Sequence, residues 1–399
     1  PAARRRDVAR RRRGRAMPER ADGSPRWIAR RALKVVLARG LTAVGAHRAV
    51  GALRRREAGG ARVLVVSYHR VTHAYDADAR EGLASLLVSA PTLRRQLEQL
   101  ARTREVVSFA DARRILSERP AARPRRDAVT VTFDDGYADL YGIALPILRA
   151  LRFPATAFLA TGYVGTPRRL PHDRLHAALT ELQVRGIPAE RAGLERELQA
   201  LLDACGEGGP AETLDRLIAR LPHDLLERVA GALMARVGMT DVDLPHGTRL
   251  VDWEEVRGLA ASGVDIGGHT VRHAVLPNLA PCDARREIAG CRDAIARRLG
   301  RAPRLFAYPN GYHTPALRRA VAALGFEAAV TTEDRENVRG GDPLALRRKM
   351  VWENTTLGPR GYSPALATCN LEGVFGALGL ARAVAGERLA DDRGGAPAR

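Results

Sequence analysis

Short apolar strands alternate with amphipathic helices from about residue 62 to residue 351 of this 399-residue chain. Such alternation is typical of parallel strands joined by helices, because a parallel pair needs a long crossover connection. In this architecture the functional side chains gather at the carboxyl ends of the strands. The sequence therefore predicts an α/β fold, with a parallel sheet that is closed or nearly closed as a barrel.

The run VTVTFDDGYAD, residues 129–139, is an alternating strand that ends on two adjacent carboxylates, Asp134 and Asp135. It stops at Gly136, a turn residue, so both carboxylates can reach the same mouth of the sheet. Because loops are rich in Asp, a solvated turn is the simplest interpretation of this pair taken alone.

A second strand, which contains Val264 and Ile266, leads into His269 and His273, four residues apart. On a helical turn such a pair shares one face, and imidazole is the commonest metal ligand. Two histidines and one carboxylate, with open positions for water, form a hydrolytic site for a divalent cation. Two unrelated surface histidines are the alternative, since short spacing motifs also occur by chance.

Both motifs resemble those of the polysaccharide deacetylases of carbohydrate esterase family four, also called the NodB-homology family. Residues 132–137 read TFDDGY, like the first motif of that family. His269, Thr270 and His273 match its second motif, H-[ST]-x-x-H. Further family-like segments cover most of residues 62–351, so the resemblance extends well beyond the two motifs.

The resemblance implies a distorted (β/α) barrel of about seven strands, the (β/α)7 form of a TIM-like barrel. It also implies that Asp135, His269 and His273 hold one divalent metal, with zinc expected first. Asp134 is then the general base that activates the attacking water. Two neighbouring carboxylates can differ in this way because a metal ligand stays ionised, whereas the free carboxylate accepts a proton.

Residues 305–313, LFAYPNGYH, resemble the oxyanion segment of the family in its F-A-Y-P-Y-G variant. The resemblance places Tyr308, Pro309 and Asn310 on the oxyanion and substrate side of the site. A proline turn that aims a backbone N–H suits this task. Asn310 stands at the usual Tyr position and Ala307 where many members have Arg, so an Arg–Asp contact behind the base cannot be assumed. An ordinary turn is the other interpretation.

The general-acid histidine that the family usually carries near its C-terminal end is missing, because no histidine follows His313. In the exopolysaccharide-modifying branch of the family, a strand of the Y-H-R type supplies this acid. Tyr68, His69 and Arg70 lie in such a strand, VLVVSYHRV. The resemblance to that branch makes His69 the predicted general acid, and a core histidine bonded to a loop is the alternative.

Residues 166–250 show helical periodicity, interrupted by glycine and proline, and we interpret them as a helical insertion in a barrel that spans 61–354. The insertion either shapes the sugar groove or pads the barrel. His172 and His176 lie four residues apart in it, with only Asp173 nearby in sequence. A second metal site is therefore not expected.

The net charge of +20 is concentrated in residues 1–60, which carry 18 Lys or Arg against 4 Asp or Glu. This predicts a basic leader that is disordered over about the first 25 residues and helical over 26–56. No apolar run there reaches a membrane span of roughly 18 residues, and no clean signal peptide is evident, so a cytoplasmic or membrane-peripheral location is expected. Residues 355–399 are predicted to form a helix and a frayed tail.

Two kinds of partner follow from the basic leader. Basic helices contact anionic lipid, so a peripheral membrane contact is one hypothesis. A specific nucleic-acid partner is not expected, because the arginine runs lack a binding fold and interleaved aromatic residues.

The sequence thus predicts a metal-dependent hydrolase that removes N-acetyl groups from an N-acetylated poly- or oligosaccharide. A sugar O-ester deacetylase or a deformylase on the same scaffold is the alternative chemistry. A catalytically silent carbohydrate- or membrane-binding protein is the alternative of a different class, and the intact set of Asp and His residues argues against it.

Overall fold

The computed structural model describes residues 25–57, 62–118, 126–206 and 208–380. The strands, in chain order, are β1 Arg62–Tyr68, β2 Arg70–Thr72, β3 Leu87–Ser89, β4 Glu105–Val106, β5 Ala128–Phe133, β6 Ala155–Leu159, β7 Asp265–Gly268, β8 Leu305–Ala307, β9 Ala328–Val330, β10 Asn337–Val338, β11 Lys349–Met350, β12 Leu357–Gly358 and β13 Gly361–Tyr362. The α-helices are α1 Pro25–Ala43, α2 Ala46–Glu57, α3 Tyr75–Glu81, α4 Ala90–Thr103, α5 Phe109–Ser117, α6 Leu145–Leu151, α7 Pro171–Val184, α8 Arg196–Asp203, α9 Pro210–Arg220, α10 His223–Val237, α11 Trp253–Ala261, α12 Pro281–Leu299, α13 Pro315–Ala323, α14 Glu353–Thr356, α15 Pro364–Leu371 and α16 Val374–Ala377.

Parallel strands form the wall of a barrel in the order β1, β5, β6, β7, β8 and β9. The segment 346–350 closes the ring between β9 and β1. Leu346 forms a parallel bridge to Val330 at the end of β9, and β11 pairs in parallel with β1. The predicted α/β class, a distorted (β/α) barrel, is confirmed.

The barrel strands are buried on both faces, as expected for strands covered by helices outside and by packed side chains inside. All residues of β1 and β5 are buried. One set of side chains, including Leu64 and Val131, packs in a cluster with helix α4, while the alternate set, including Val63 and Ala128, packs in a second cluster with β8 and β9. The interior is therefore a packed core, and the functional groups lie at its rim.

Helices α7, α8, α9 and α10 lie between β6 and β7 and form the predicted helical insertion. They bury an apolar core of their own, and α7 packs against α10. Val275, which follows β7 by a few residues, joins this core. The insertion is therefore attached beside the carboxyl rim of the barrel.

The basic leader forms two helices rather than one, because the chain breaks at Gly45, where φ is +73°. One side of α1 packs on α15, and α2 packs on α16. The outward side exposes Leu33, Val36 and Val44, which are 69%, 65% and 80% exposed. The predicted membrane contact through this basic segment stays a prediction. The segment predicted to be disordered, 1–24, and the tail after 380 lie outside the described residues.

No helix in the described ranges combines the length and the apolar character that crossing a bilayer requires.

Buried ion pairs hold the amino end of the barrel together. Arg62, at the start of β1, donates to Asp127 at 2.5 Å and also to Glu336. Arg104 donates to Glu336 at 2.6 Å and to Glu372 at 3.0 Å. Burial would raise the pKa of Asp127, but its hydrogen bond and ion pair with Arg62 lower that pKa below its usual value. Removing one partner would leave the other charge buried and uncompensated.

We expect Asp127→Ala to lower the free energy of unfolding by about 3 kcal/mol, because Arg62 would lose one of its two buried carboxylate partners and would share the other, Glu336, with Arg104. The measurement is urea denaturation followed by circular dichroism. Because the folded pKa of Asp127 is depressed, its stabilisation is present above the unfolded pKa and is lost as the pH falls through the folded value. The difference in the free energy of unfolding between the wild type and Asp127→Ala should therefore become smaller as the pH falls.

The matched control is Glu254→Ala, which removes an exposed pair with Arg257. An exposed pair contributes only about 0–1 kcal/mol, so this variant should unfold almost as the wild type does. Equal losses in the two variants would contradict the assigned role of Asp127.

Candidate metal centre and active site

Strand β5 delivers both carboxylates to the carboxyl rim of the barrel. After Phe133 the backbone turns sharply, with φ of 72° at Asp135 and 85° at Gly136. The turn lets Asp134 continue the inward-facing set of Thr130 and Thr132, while Asp135 points to the neighbouring strand ends. Both carboxylates are buried.

Strained backbone marks the same rim. Five non-glycine residues in the described ranges have a positive φ, and four of them lie here: Asp135, Thr270, His273 and Asn310. Left-handed backbone is costly for residues with a Cβ, and it persists only where the surrounding structure imposes it. Such strain clusters at functional sites, so the backbone points to this rim independently of the side-chain chemistry.

Asp135, His269 and His273 form a compact set of candidate ligands. The Nε2 atoms of His269 and His273 lie 3.3 and 3.1 Å from Oδ1 of Asp135. This oxygen is buried and has no hydrogen-bond partner among the described residues. Their ligand atoms lie within 4.8 Å of one another.

The hydrogen bonding of His269 shows what this set can bind. Its Nδ1 donates to the backbone oxygen of Ala307 at 2.8 Å, which leaves a lone pair on Nε2. In the neutral imidazole this lone pair faces Oδ1 of Asp135, and both atoms are available to a cation placed between them. One carboxylate and two neutral imidazoles suit zinc, and they accept several other divalent ions.

Both histidines lie next to Asp135, but the helical turn expected for them is wrong. Residues 269–275 form an irregular loop, in which Thr270 and His273 have φ of 64° and 58°. The loop is held by Glu287 of α12, whose carboxylate accepts the amides of Val271 and Arg272 at 2.9 Å. Two left-handed residues thus bring both imidazoles to Asp135 without a helix.

Arg348 forms an ion pair with the other carboxylate, Asp134. Its two terminal nitrogens donate to Oδ1 and Oδ2 of Asp134, each at 2.7 Å, and its Nε donates to the oxygen of Thr331 at 2.8 Å. Burial would raise the pKa of Asp134, but the charge and hydrogen bonds of Arg348 hold it below its usual value. The Arg–Asp contact that Ala307 made doubtful is therefore present, and its arginine comes from the segment 346–350 that closes the barrel.

His69, at the end of β1, also lies at the site. Its Nε2 is 4.0 Å from Oδ2 of Asp134, and its side chain is 13% exposed. Burial lowers the pKa of His69, although Asp135 and Asp134 work in the opposite direction. The structure thus brings the predicted acid and the predicted base together.

The turn after β8 presents one free donor candidate. Pro309 has no N–H, the amide of Gly311 donates to Tyr308 at 2.8 Å, and that of Tyr312 donates to Pro309 at 3.4 Å. This leaves the amide of Asn310, whose residue has a φ of 56°. The turn is anchored by Tyr308, which is buried and whose hydroxyl donates to the oxygen of Leu344 at 3.1 Å. The side chain of Tyr308 therefore supports the turn from the core.

The insertion contributes a residue to the site. His172, near the start of α7, lies with its Nε2 2.7 Å from the Tyr137 hydroxyl and 3.9 Å from Oδ2 of Asp135. The Tyr137 hydroxyl also donates to Asp173 at 2.9 Å. The sequence analysis named His172 only beside His176 and Asp173, and it did not predict that His172 lies next to Asp135.

We expect the protein to bind one divalent cation per chain, and we expect Asp135→Ala and His273→Ala to abolish this binding. Isothermal titration with zinc, checked by metal analysis, measures it. Since the ligands must be deprotonated, binding should be tighter at pH 7.5 than at pH 5.

His246→Ala serves as the control, because His246 is exposed and lies outside the set of ligands. Asp134→Asn should also keep the metal. Loss of the metal in Asp134→Asn with retention in Asp135→Ala would reverse the assignment of the two carboxylates.

The chain is similar in sequence to known proteins. Residues 121–329 match the family model described as polysaccharide deacetylase. Over 119 residues the chain is 25% identical to YxkH of Bacillus subtilis (strain 168), a protein named for the same activity. That match covers 30% of this chain and 42% of YxkH, so it spans less than half of that relative.

Two solved structures are similar to this chain. IcaB from Ammonifex degensii has a TM-score of 0.50 and 19% identity, and the match covers 78% of this chain and 98% of IcaB. The Streptococcus pyogenes deacetylase PplD, solved in complex with acetate, has a TM-score of 0.48 and 18% identity, with 75% of this chain and 96% of PplD covered.

Proposed function

The chain belongs to the polysaccharide deacetylase family, a family of carbohydrate deacetylases, and we propose that it removes N-acetyl groups from N-acetylated sugars in a poly- or oligosaccharide. One observation carries the proposal: Asp134 lies directly beside the candidate ligand Asp135 but is held apart from it by Arg348. A ligand set with a separate, ionised carboxylate next to it is what hydrolysis of an amide requires.

Asp135, His269 and His273 would hold the cation, with zinc expected first. When bound, such a cation polarises the acyl carbonyl and makes water more acidic. His269 is kept in the correct tautomer by Ala307, and a bound cation would keep Asp135 ionised.

Asp134 acts as the general base. Its depressed pKa keeps it ionised at neutral pH, and the bidentate contact with Arg348 fixes its orientation. It accepts the proton of the attacking water while the water oxygen bonds to the acyl carbon.

His69 acts as the general acid. A buried imidazole with a lowered pKa gives up its proton readily once it has been protonated. When the carbon–nitrogen bond breaks, His69 protonates the leaving amine, and acetate is released. The amide of Asn310 supports the negative charge that develops on the carbonyl oxygen.

We expect wild-type protein with zinc to release acetate from N-acetylglucosamine oligomers, measured by an enzyme-coupled acetate assay. Asp134→Asn should lower kcat by about 10²–10⁴-fold while retaining the metal, because it loses only proton transfer. His269→Ala should lose both metal and activity, and His246→Ala should resemble the wild type.

Release from O-acetylated but not from N-acetylated oligomers would favour an ester deacetylase, and release of formate from N-formyl sugars would favour a deformylase. Hydrolysis that is unaffected by Asp134→Asn would contradict the proposed base.

A second prediction concerns Arg348. Arg348→Met should lower kcat/KM by about 10–100-fold, as loss of a residue that orients a functional group typically does. It should also shift the acidic limb of the pH–rate profile to higher pH, because the pKa of Asp134 rises when the guanidinium of Arg348 is lost.

The neighbouring Arg347→Met is a matched control, since Arg347 pairs at the surface with Glu333 at 3.0 Å. Circular dichroism would verify that both variants fold. An unchanged acidic limb in folded Arg348→Met would show that Arg348 does not set the charge of the base.

A further inference from the structure

The outward face of helix α1 carries an apolar stripe. Leu33 and Val36 are 69% and 65% exposed, and the exposed apolar residues around them recur at intervals of three or four, so that they share one side of the helix. The members of this outer stripe are Ala29, Leu33, Val36, Gly40, Ala43 and Val44. Five of the nine large apolar or aromatic side chains that are exposed in the described ranges lie in residues 25–57. The exposed apolar surface is therefore concentrated on this segment.

Arginines border the outer stripe. Arg30 and Arg39 are exposed and lie about two and a half helical turns apart, so they stand on opposite sides of the helix. Residues 25–57 contain nine Lys or Arg and a single Glu. An apolar stripe with cations along both edges is the pattern of helices that lie on the surface of anionic membranes.

The other side of the α1–α2 hairpin is fixed to the rest of the molecule. Ala38 is fully buried in a cluster with α15 and α16. Arg31 of α1 donates to the backbone oxygen of Leu357 at 3.0 Å, and Arg54 of α2 donates to that of Glu372 at 3.0 Å. These contacts determine which side of α1 faces outward. The outer stripe is therefore presented without any rearrangement of the hairpin.

Charge and polarity select among the possible partners of this surface. A second copy of the chain would bring two identical basic faces together, because a two-fold interface is self-complementary, and like charges repel. A nucleic acid would neutralise the arginines but leave the outer stripe against phosphate and water. An anionic bilayer satisfies both parts, since its phosphates pair with arginine and its interface takes up apolar side chains.

We propose that the α1–α2 hairpin is a docking surface for an anionic lipid bilayer. Leu33 and Val36 enter the boundary between headgroups and acyl chains, while Arg30 and Arg39 pair with lipid phosphates. This inference goes beyond the proposed function and does not depend on it, because no residue of the candidate metal centre takes part.

The test is co-sedimentation of the full chain with vesicles of phosphatidylglycerol and phosphatidylcholine, compared with vesicles of phosphatidylcholine alone. The wild type should bind the anionic vesicles at least about tenfold more tightly, because each cation near the surface adds to the attraction. The double variant Leu33→Gln and Val36→Gln should lose about tenfold or more of this affinity, because its side chains no longer favour the acyl boundary. Arg30→Gln with Arg39→Gln should lose about tenfold and reduce the dependence of binding on salt.

Val242→Gln is the matched control, since Val242 is also 65% exposed but lies in the helical insertion. It should bind as the wild type does, and circular dichroism verifies that each variant is folded. Wild-type affinity in folded Leu33→Gln and Val36→Gln would overturn the proposal, because the charge of residues 1–60 alone would then explain the binding. Equal affinity for both kinds of vesicle would overturn the role of the arginines.

Absence of wild-type binding to either kind of vesicle would overturn the docking surface as a whole. Sedimentation velocity and titration with duplex DNA would then show whether a second copy or a nucleic acid binds this face. None of these outcomes bears on acetate release, so the proposed function is tested separately.

Discussion

The bidentate ion pair between Arg348 and Asp134 is the interaction on which the site depends. Arg348 lies in the segment that closes the barrel between β9 and β1, and it also bonds the oxygen of Thr331 after β9. Closure of the ring therefore places the guanidinium of Arg348 beside Asp134, at the end of β5. The same contact keeps Asp134 ionised and keeps it from turning towards the candidate ligands around Asp135. The charge and orientation of Asp134 therefore depend on the segment that closes the barrel.

Two adjacent carboxylates consequently have different surroundings, and the different roles that we propose for them rest on this difference. Asp135, on left-handed backbone, faces two imidazole nitrogens, whereas Asp134 faces a guanidinium and His69. Environment rather than residue type separates a metal ligand from a base. The insertion adds His172 beside Asp135, so this rim is built from the barrel and from the helices between β6 and β7.

Local sequence patterns predicted the alternation of strands and helices, the end of β5 and the two histidines, because each of these is encoded within about ten residues. The helical turn at His269–His273 was wrong, since the left-handed residues Thr270 and His273 are not signalled by spacing. Arg348 was missed because it meets Asp134 across 214 residues of chain, and no local pattern records a contact of that kind.

The most direct test of the central claim is a crystal structure of the zinc-loaded protein, with anomalous scattering used to locate the ion. The account predicts one ion bound by Asp135, His269 and His273, with both oxygens of Asp134 still bonded to Arg348 and free of the metal. An ion bound by Asp134, or an Arg348 that has left Asp134, would contradict the division of roles between the two carboxylates.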